Sequence, residues 1–149
     1  MIRIDIDVRE VEKAVAQLEG FRQRKEAQLQ IAVKKGGEAI EDFARKKMVG
    51  NDMIDTGELY RSVESVHTGW DSLIGTPHMY GLYQEYGTGI YAVKGDGRKT
   101  PWWYYYRGRK GPHGWRFTRG NKPQPWLVPA FTEGIPVFQK KIIEALRGL

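Results

Sequence analysis

The triplet Asp55-Thr56-Gly57 comes nearest to a catalytic motif in this sequence. Aspartic proteases carry the same triplet in their catalytic loop, where two such aspartates share a proton, and two copies of a short chain would supply that pair. The protease loop lies on β-structure, however, whereas the residues before the triplet are poor in strand signals. The later apolar-apolar-glycine element of these enzymes has only Leu73-Ile74-Gly75 as a candidate, which comes too soon in the chain.

A helix start is the favoured interpretation of this triplet. Asp55 or Thr56 would cap the helix, and Leu59 and Tyr60 would pack inward. A dimeric aspartic protease that acts through Asp55 stays as a remote alternative.

The other reactive side chains lack the partners that chemistry would require. His67 and His78 have no second ligand at a metal-binding spacing. The chain has no cysteine, which excludes a disulfide, a thiolate nucleophile and cysteine-ligated zinc. The glycines within residues 87–97 are not followed by Gly-Lys-Ser/Thr and do not form a phosphate-binding loop. We therefore predict a protein that is not an enzyme and that holds no cofactor or metal.

Positive charge and aromatic residues are concentrated in residues 89–122. This segment carries nine basic residues against Asp96 alone, a net charge of +8, whereas the whole chain has +6. Two aromatic runs, residues 102–106 and 115–117, flank a basic, glycine-rich stretch. The pattern predicts a long β-hairpin with a basic tip. Such a hairpin cannot bury both aromatic faces alone, so it must lie on its own domain or on a neighbour.

Interleaved basic and aromatic side chains also suit single-stranded nucleic acid, because rings stack on bases while arginine and lysine follow the phosphates. No RNA-binding signature or single-strand-binding fold pattern accompanies them here. A nucleic-acid-binding module that uses this hairpin therefore stays as the alternative to a protein contact.

The elements that position the hairpin begin in the N-terminal half. Residues 2–6 alternate isoleucine with charged residues, which predicts a first strand. Apolar spacing predicts a helix over about residues 8–19 that Gly20 ends or bends, and a longer helix over about residues 22–48. The glycine pair at 36–37 indicates either a bend or a close crossing by another backbone.

The second half supplies a hairpin, a short helical turn and a closing helix. Residues 62–66 and 72–76 are runs of β-formers and predict two antiparallel strands joined by a loop. Tyrosines recur every third residue from Tyr80 to Tyr86, which predicts a helical turn that the next glycines end. Prolines within residues 123–129 predict an extended entry to a last helix, which Pro136 kinks or restarts. The apolar face predicted for this helix comprises Phe131, Ile135, Phe138, Ile142 and Leu146.

Length and composition bound the fold. A chain of 149 residues with 40% hydrophobic content makes one domain with a single core. No run approaches the roughly 18 apolar residues of a membrane span, and charged residues lie where a signal peptide would be apolar. We predict a soluble α+β protein: a small antiparallel sheet flanked by N-terminal helices and a C-terminal helix, with a protruding β-hairpin arm. Its body comprises residues 1–88 and 123–149, and the arm residues 89–122.

Four motifs occur in an order that resembles one family of phage proteins. They are Asp55-Thr56-Gly57-Glu58-Leu59 with Ser62 shortly after, Tyr80 to Thr88 ending in Glu85-Tyr86-Gly87-Thr88-Gly89, Thr118-Arg119-Gly120-Asn121-Lys122-Pro123-Gln124-Pro125, and Trp126-Leu127-Val128-Pro129-Ala130-Phe131. Together they resemble the tail-component family of bacteriophages with long non-contractile tails, the tail-completion or neck proteins related to the lambda minor tail protein Z. The match covers most of residues 25–146, and the order of the motifs carries it, since none is specific alone.

The resemblance implies a structural virion protein without catalysis, made in the host cytoplasm and assembled as a ring at the head–tail interface. Its partners would be further copies of itself, head-connector proteins, and tail-tube or tail-terminator proteins, with no membrane. Contact with DNA phosphate in the channel would be a further use of the arm. Trp126 stands where Phe is commoner in the family, and the arm is longer and more basic than in many relatives.

We expect the arm to reach an adjacent subunit or ring through aromatic anchors, while its basic side chains meet acidic side chains or DNA phosphate. The predicted subunit or ring interface comprises Tyr83, Tyr86, Trp102, Trp103, Tyr105, Arg107, Arg109, Lys110, Trp115 and Trp126.

Overall fold

A single helix, α1 (Val8–Gly50), begins the computed structural model, which describes residues 8–148. The strand predicted for residues 2–6 lies outside the described residues. The predicted break at Gly20 is wrong, because α1 continues through it without interruption. One glycine in a helix interior costs only about 1 kcal/mol relative to alanine, which a helix of this length tolerates.

Helix α4 (Leu127–Arg147) packs antiparallel along α1. Its start lies beside the end of α1, where Lys47 and Glu133 form an ion pair of 2.5 Å. Its end lies beside Lys25, whose Nζ donates a hydrogen bond of 2.8 Å to the carbonyl of Gly148. The first turns of α1 therefore extend past the end of α4.

Glycines bring α1 and α4 close together. A Cβ at Gly36 would overlap the ring of Phe138, and a Cβ at Gly134 would overlap the side chain of Ile40. Each helix thus places a side chain in a gap that a glycine of the other leaves open, as ridges fit grooves in helix packing. The glycine pair at 36–37 was predicted to mark a bend or a close crossing by another backbone. The structure instead places side chains against both glycines, those of Phe138 at Gly36 and Ser72 at Gly37.

The packing face of α4 agrees with the predicted one only in part, since Phe138 packs against α1 as predicted. The buried residues of α4 are Ala130 and Gly134, whereas Ile135 and Leu146 of the predicted face are almost half exposed. Pro136 lies inside α4 and does not restart the helix, which continues without a break from Leu127 to Arg147. Small residues complete the face because each leaves room for a large side chain of the other helix, as Gly134 does for Ile40.

The first hairpin pairs β1 (Glu64–Thr68) with β2 (Asp71–Gly75) in antiparallel register. The turn is shorter than predicted, because only Gly69, at a φ of 58°, and Trp70 separate the strands. This hairpin is attached to α1 through its strands. The backbone amide and hydroxyl of Ser65 both donate to one carboxylate oxygen of Glu41, at 2.8 and 2.6 Å.

Two short helices and a second hairpin complete the described residues. The helices are α2 (Glu58–Ser62) and α3 (Met79–Tyr86), and the second hairpin pairs β3 (Trp102–Tyr106) with β4 (Gly114–Thr118). The predicted α+β class is confirmed, with four α-helices and two separate two-stranded sheets among the described residues. One long helix replaces the predicted N-terminal pair. The central cluster comprises Ala44, Met48, Met53, Leu59, Val63, Trp126 and Ala130.

Candidate functional site

The β3–β4 hairpin presents four aromatic rings on one face, as two cross-strand pairs. Successive strand residues point to opposite faces, so the cross-strand partners Trp103 and Phe117 share a face with the next such pair, Tyr105 and Trp115. The ring centroids are 5.3 Å apart in the first pair and 5.6 Å apart in the second, both edge to face. These four residues are called the aromatic platform below.

The aromatic platform is exposed. The exposed fractions are 63% for Trp103, 46% for Tyr105, 69% for Trp115 and 56% for Phe117. Edge-to-face pairing contributes about 0.5–1.5 kcal/mol per pair and orders the rings, but it leaves most of their apolar area in water. A contiguous apolar patch of this kind typically marks an interaction surface.

The opposite face of the hairpin borders a cleft of about 1010 Å³. Trp102, Tyr104 and Tyr106 line it from the hairpin side, and Tyr83 and Tyr86 line it from the side of α3. Three cationic side chains lie over rings that line this cleft. The guanidinium of Arg116 lies 3.7 Å from the ring centroid of Tyr106, that of Arg98 lies 5.5 Å from Trp102, and the ammonium of Lys94 lies 4.8 Å from Tyr86.

The tip of the hairpin is attached to its own chain by Asp55. One carboxylate oxygen accepts hydrogen bonds from the backbone amides of Arg109 and, at 3.0 Å, Lys110, and the other accepts one of 3.0 Å from the hydroxyl of Tyr106. The ammonium of Lys110 adds an ion pair of 2.7 Å with Asp52. The arm is therefore held at its tip as well as at its base.

Burial raises the pKa of Asp55, but the hydrogen bonds from the Arg109 amide, the Tyr106 hydroxyl and the Lys110 amide outweigh it, so the net pKa lies below its usual value. Of the two residues predicted to cap a helix, Asp55 does not do so, whereas Thr56 accepts a hydrogen bond from the first residue of the helix. Helix α2 has Gly57 at its N-cap without a side-chain cap, and the hydroxyl of Thr56 accepts a bond of 3.3 Å from the amide of Glu58.

The base of the hairpin is attached by backbone hydrogen bonds. The amide of Thr88 donates to Asn121 at 2.9 Å, and the amide of Ile90 donates to Arg119 at 3.1 Å. Gly89 has a φ of 63° and lies so close to the opposite backbone that a Cβ would overlap the carbonyl of Arg119. The glycine of the Thr88-Gly89 sequence is thus required by a close backbone approach, which fixes the direction in which the arm leaves the body.

Glu85 organises the start of α4, a role that the sequence did not reveal. Its carboxylate is buried and accepts three hydrogen bonds, from the amides of Trp126 at 2.7 Å, Leu127 at 2.8 Å and Val128 at 3.0 Å. These amides have no intrahelical acceptor, and a carboxylate at a helix N-terminus is also favoured by the helix dipole. The indole N–H of Trp126 donates a hydrogen bond of 3.0 Å to the carbonyl of Gly81.

The predicted interface residues divide into several groups. Trp103, Tyr105 and Trp115 come together on the aromatic platform, with the guanidinium of Arg107 5.4 Å from the Tyr105 ring. Phe117 completes the platform and was missed, although its alternation with Trp115 along β4 is the signal that would have found it.

The other predicted interface residues lie elsewhere. Trp102, Tyr83 and Tyr86 line the cleft, and Arg109 and Lys110 lie at the attached tip. Trp126 cannot be an interface residue, because it is 1% exposed in the core. Its large indole fills the junction of α1, α3 and α4, so the aromatic type alone did not distinguish core from interface.

No metal-binding arrangement of His, Asp and Glu occurs among residues 8–148. His67 contacts the hydroxyls of Ser65 at 3.3 Å and Ser72 at 3.2 Å within its own hairpin. Within that same range, no helix is both long and apolar enough to cross a membrane.

No protein-family model, curated protein or solved structure matches this chain.

Proposed function

We propose that this chain is a structural virion protein, a ring-forming tail-completion or neck component that joins the head connector to the tail tube. The observation that supports this proposal most directly is the aromatic platform, which stays exposed on a hairpin that the chain holds in place at both ends. The order of the family-like motifs supplies the assignment to phage tails, and the geometry supplies the binding surface.

Attachment at both ends makes the platform suitable for binding protein. A hairpin fixed before binding loses less conformational entropy on association than a mobile loop. Tryptophan, tyrosine and arginine are also the residues that most often dominate the energy of protein interfaces. Trp103, Trp115 and Arg107 would thus form the centre of a contact between subunits or rings.

Single-stranded nucleic acid is the second candidate partner, because residues 89–122 carry a net charge of +8 beside exposed rings. Several of these cations lie on the cleft side or are paired within the chain. Lys94, Arg98 and Arg116 lie over rings that line the cleft, and Lys110 pairs with Asp52. These cations do not lie in a line beside the platform, where they would have to contact the phosphates of a strand whose bases stack on the rings. Their placement therefore favours a protein partner.

The experiment that tests the proposed function uses phage particles that depend on this gene. Wild-type protein supplied in trans should restore the joining of heads to tails, and electron microscopy of the particles should place the chain as a ring at the head–tail joint. The double variant Trp103→Thr, Trp115→Thr should leave separate heads and tails. The matched variant Val66→Thr, Leu73→Thr, which changes exposed cross-strand partners of the other hairpin, should restore joining.

Particles in which the chain lies elsewhere than the head–tail joint, or is absent, would contradict the proposed function. Binding of a single-stranded oligonucleotide that weakens steeply with salt and is lost in the double Trp variant would support the second candidate instead.

A further inference from the structure

Among residues 8–148, no other element lies along the apolar side of the first part of α1. Helix α4 ends at Arg147, close to Lys25, so about 17 residues of α1 lie beyond it. At 1.5 Å per residue this part of the helix is roughly 25 Å long. It is a projection from the body.

The projection carries an apolar stripe at helical spacing. Val8, Val11, Val15 and Leu18 are 67%, 47%, 59% and 68% exposed. They are called the N-terminal stripe below. Val15 and Leu18 lie five helical turns before Val33 and Gly36, which are buried, so the stripe continues the side of α1 that the body covers.

The N-terminal stripe and the aromatic platform belong to segments of opposite charge. Residues 1–21 carry three basic and five acidic residues, a net charge of −2, against +8 for residues 89–122. The remaining residues, 22–88 and 123–149, carry twelve of each sign and are neutral. At long range the two segments would therefore attract one another, and segments of the same kind would repel. Arg107, which lies over the Tyr105 ring, places one of these cations at the platform itself.

Their dimensions permit a contact in which the platform lies wholly on the stripe. Val8 to Leu18 spans ten residue steps, roughly 15 Å along the helix axis. The strands of the platform hairpin have five residues each, roughly 13–17 Å at 3.3 Å per residue. The four rings form two cross-strand pairs that lie two residues apart, roughly 7 Å along the strands, so the platform covers about half the length of the stripe.

We propose that the aromatic platform of one subunit docks on the N-terminal stripe of the next copy of this chain. The proposal rests on the proposed function, since it specifies how the ring closes. Two different surfaces meet in such a contact, so each subunit uses its platform on one neighbour and its stripe on the other. A contact of this head-to-tail kind generates a ring when the rotation between subunits closes.

Two variants that each lack one surface test this arrangement. Leu18→Glu places a charge in the stripe, and Trp115→Thr removes a platform ring while keeping a residue that favours strands. Each variant alone should self-associate at least about 30-fold more weakly than wild type, which corresponds to about 2 kcal/mol for a central interface residue. Light scattering after size exclusion, with electron microscopy, measures the assemblies.

Mixing the two variants gives the decisive result. The intact platform of the Leu18→Glu protein should bind the intact stripe of the Trp115→Thr protein, so an equimolar mixture should form dimers but no rings. Gln17→Glu, on the opposite side of α1, and Val66→Thr, on the other hairpin, are the matched controls and should form rings as wild type does. Circular dichroism should show the same helix content in all five proteins.

Each other outcome contradicts the arrangement in a recognisable way. Rings that persist in both variants would overturn the platform–stripe contact and leave the proposed function standing. One variant that assembles alone would indicate a contact between two like surfaces and would overturn the arrangement. A mixture without dimers would show that the two intact surfaces do not bind each other and would overturn it as well. Wild-type protein that stays monomeric at every concentration, with or without a single-stranded oligonucleotide, would overturn both this inference and the proposed ring.

Discussion

The two hairpins of the protein have strands of equal length but are attached in different ways. The β1–β2 hairpin is attached through its strands, where Ser65 donates to Glu41 of α1 and Ser72 lies over Gly37. The β3–β4 hairpin is attached at its ends, by Asp55 at the tip and by backbone bonds at the base. Attachment through the strands gives one face to the body, whereas attachment at the ends leaves a whole face of rings exposed.

The difference shows how a chain keeps an apolar surface in water without mobility. A two-stranded hairpin is marginally stable alone, so the exposed platform needs support that does not cover it. The support comes from polar contacts: the Asp55 carboxylate binds the tip, and backbone hydrogen bonds hold the base. These contacts cover little of the apolar area of the platform. The three predictions below test these attachments, from the largest expected effect to the smallest.

Replacement of Glu85 should have the largest effect, because the base of the β3–β4 hairpin is built on the junction that Glu85 holds. Glu85→Ala leaves three amides at the start of α4 without their acceptor, and hydrogen bonds to a charged group contribute about 1.5–3 kcal/mol each. We expect the free energy of unfolding in urea to fall by about 3 kcal/mol or more. Glu64→Ala, an exposed acid on β1, is the control and should change it little. Equal effects of the two substitutions would contradict this role of Glu85.

Alanine at Gly37 should have an intermediate effect, confined to the attachment of the β1–β2 hairpin. A Cβ there would overlap the Ser72 hydroxyl, and overpacking of this kind costs about 1–3 kcal/mol. Gly20→Ala is the matched control in the same helix, where a Cβ meets only the end of the Arg24 side chain at 3.5 Å. It should stabilise the protein by up to about 1 kcal/mol through helix propensity. Urea denaturation of both variants measures the difference, and stabilisation by both would show that the hairpin moves aside without cost.

Patterns within short stretches predicted the two hairpins, α3 and the last helix, whereas contacts between distant residues were not predictable. Alternation of aromatic residues predicted the β3–β4 hairpin, and the spacing of tyrosines predicted α3, because both signals repeat within a few residues. Gly20 was misread because a glycine's local cost does not reveal how much helix surrounds it.

The roles of the two important carboxylates depend on partners far along the chain. Glu85 is 41 residues from Trp126, and Asp55 is 54 residues from Arg109. Their acceptor oxygens are satisfied mainly by backbone amides, which every residue type except proline offers, so the identity of the partner residue carries no signal. The prediction that Trp126 lies in an interface was wrong for a related reason, because tryptophan is common both in cores and in interfaces.

Acidification should have the smallest effect on the whole fold and a specific effect on the hairpin tip. Because the folded-state pKa of Asp55 is lowered, its attachment to the tip is fully present above a pH of about 4, where an unfolded aspartate is ionised. The attachment is lost as the pH falls through the lower folded-state pKa. Amide resonances of Arg109 and Lys110 should then shift together with that pKa, while those of the β1–β2 hairpin stay unchanged.

Asp55→Asn separates this effect from general acid unfolding. The neutral amide keeps one acceptor oxygen but loses the charge, so the two tip amides should already resonate near their acid positions at neutral pH and should not titrate. Asp71→Asn, at the start of β2, is the matched control and should keep the wild-type titration of the tip. A tip that titrates identically in the Asp55→Asn variant would mean that another group attaches the arm, and the contrast between the two hairpins would then rest on the base alone.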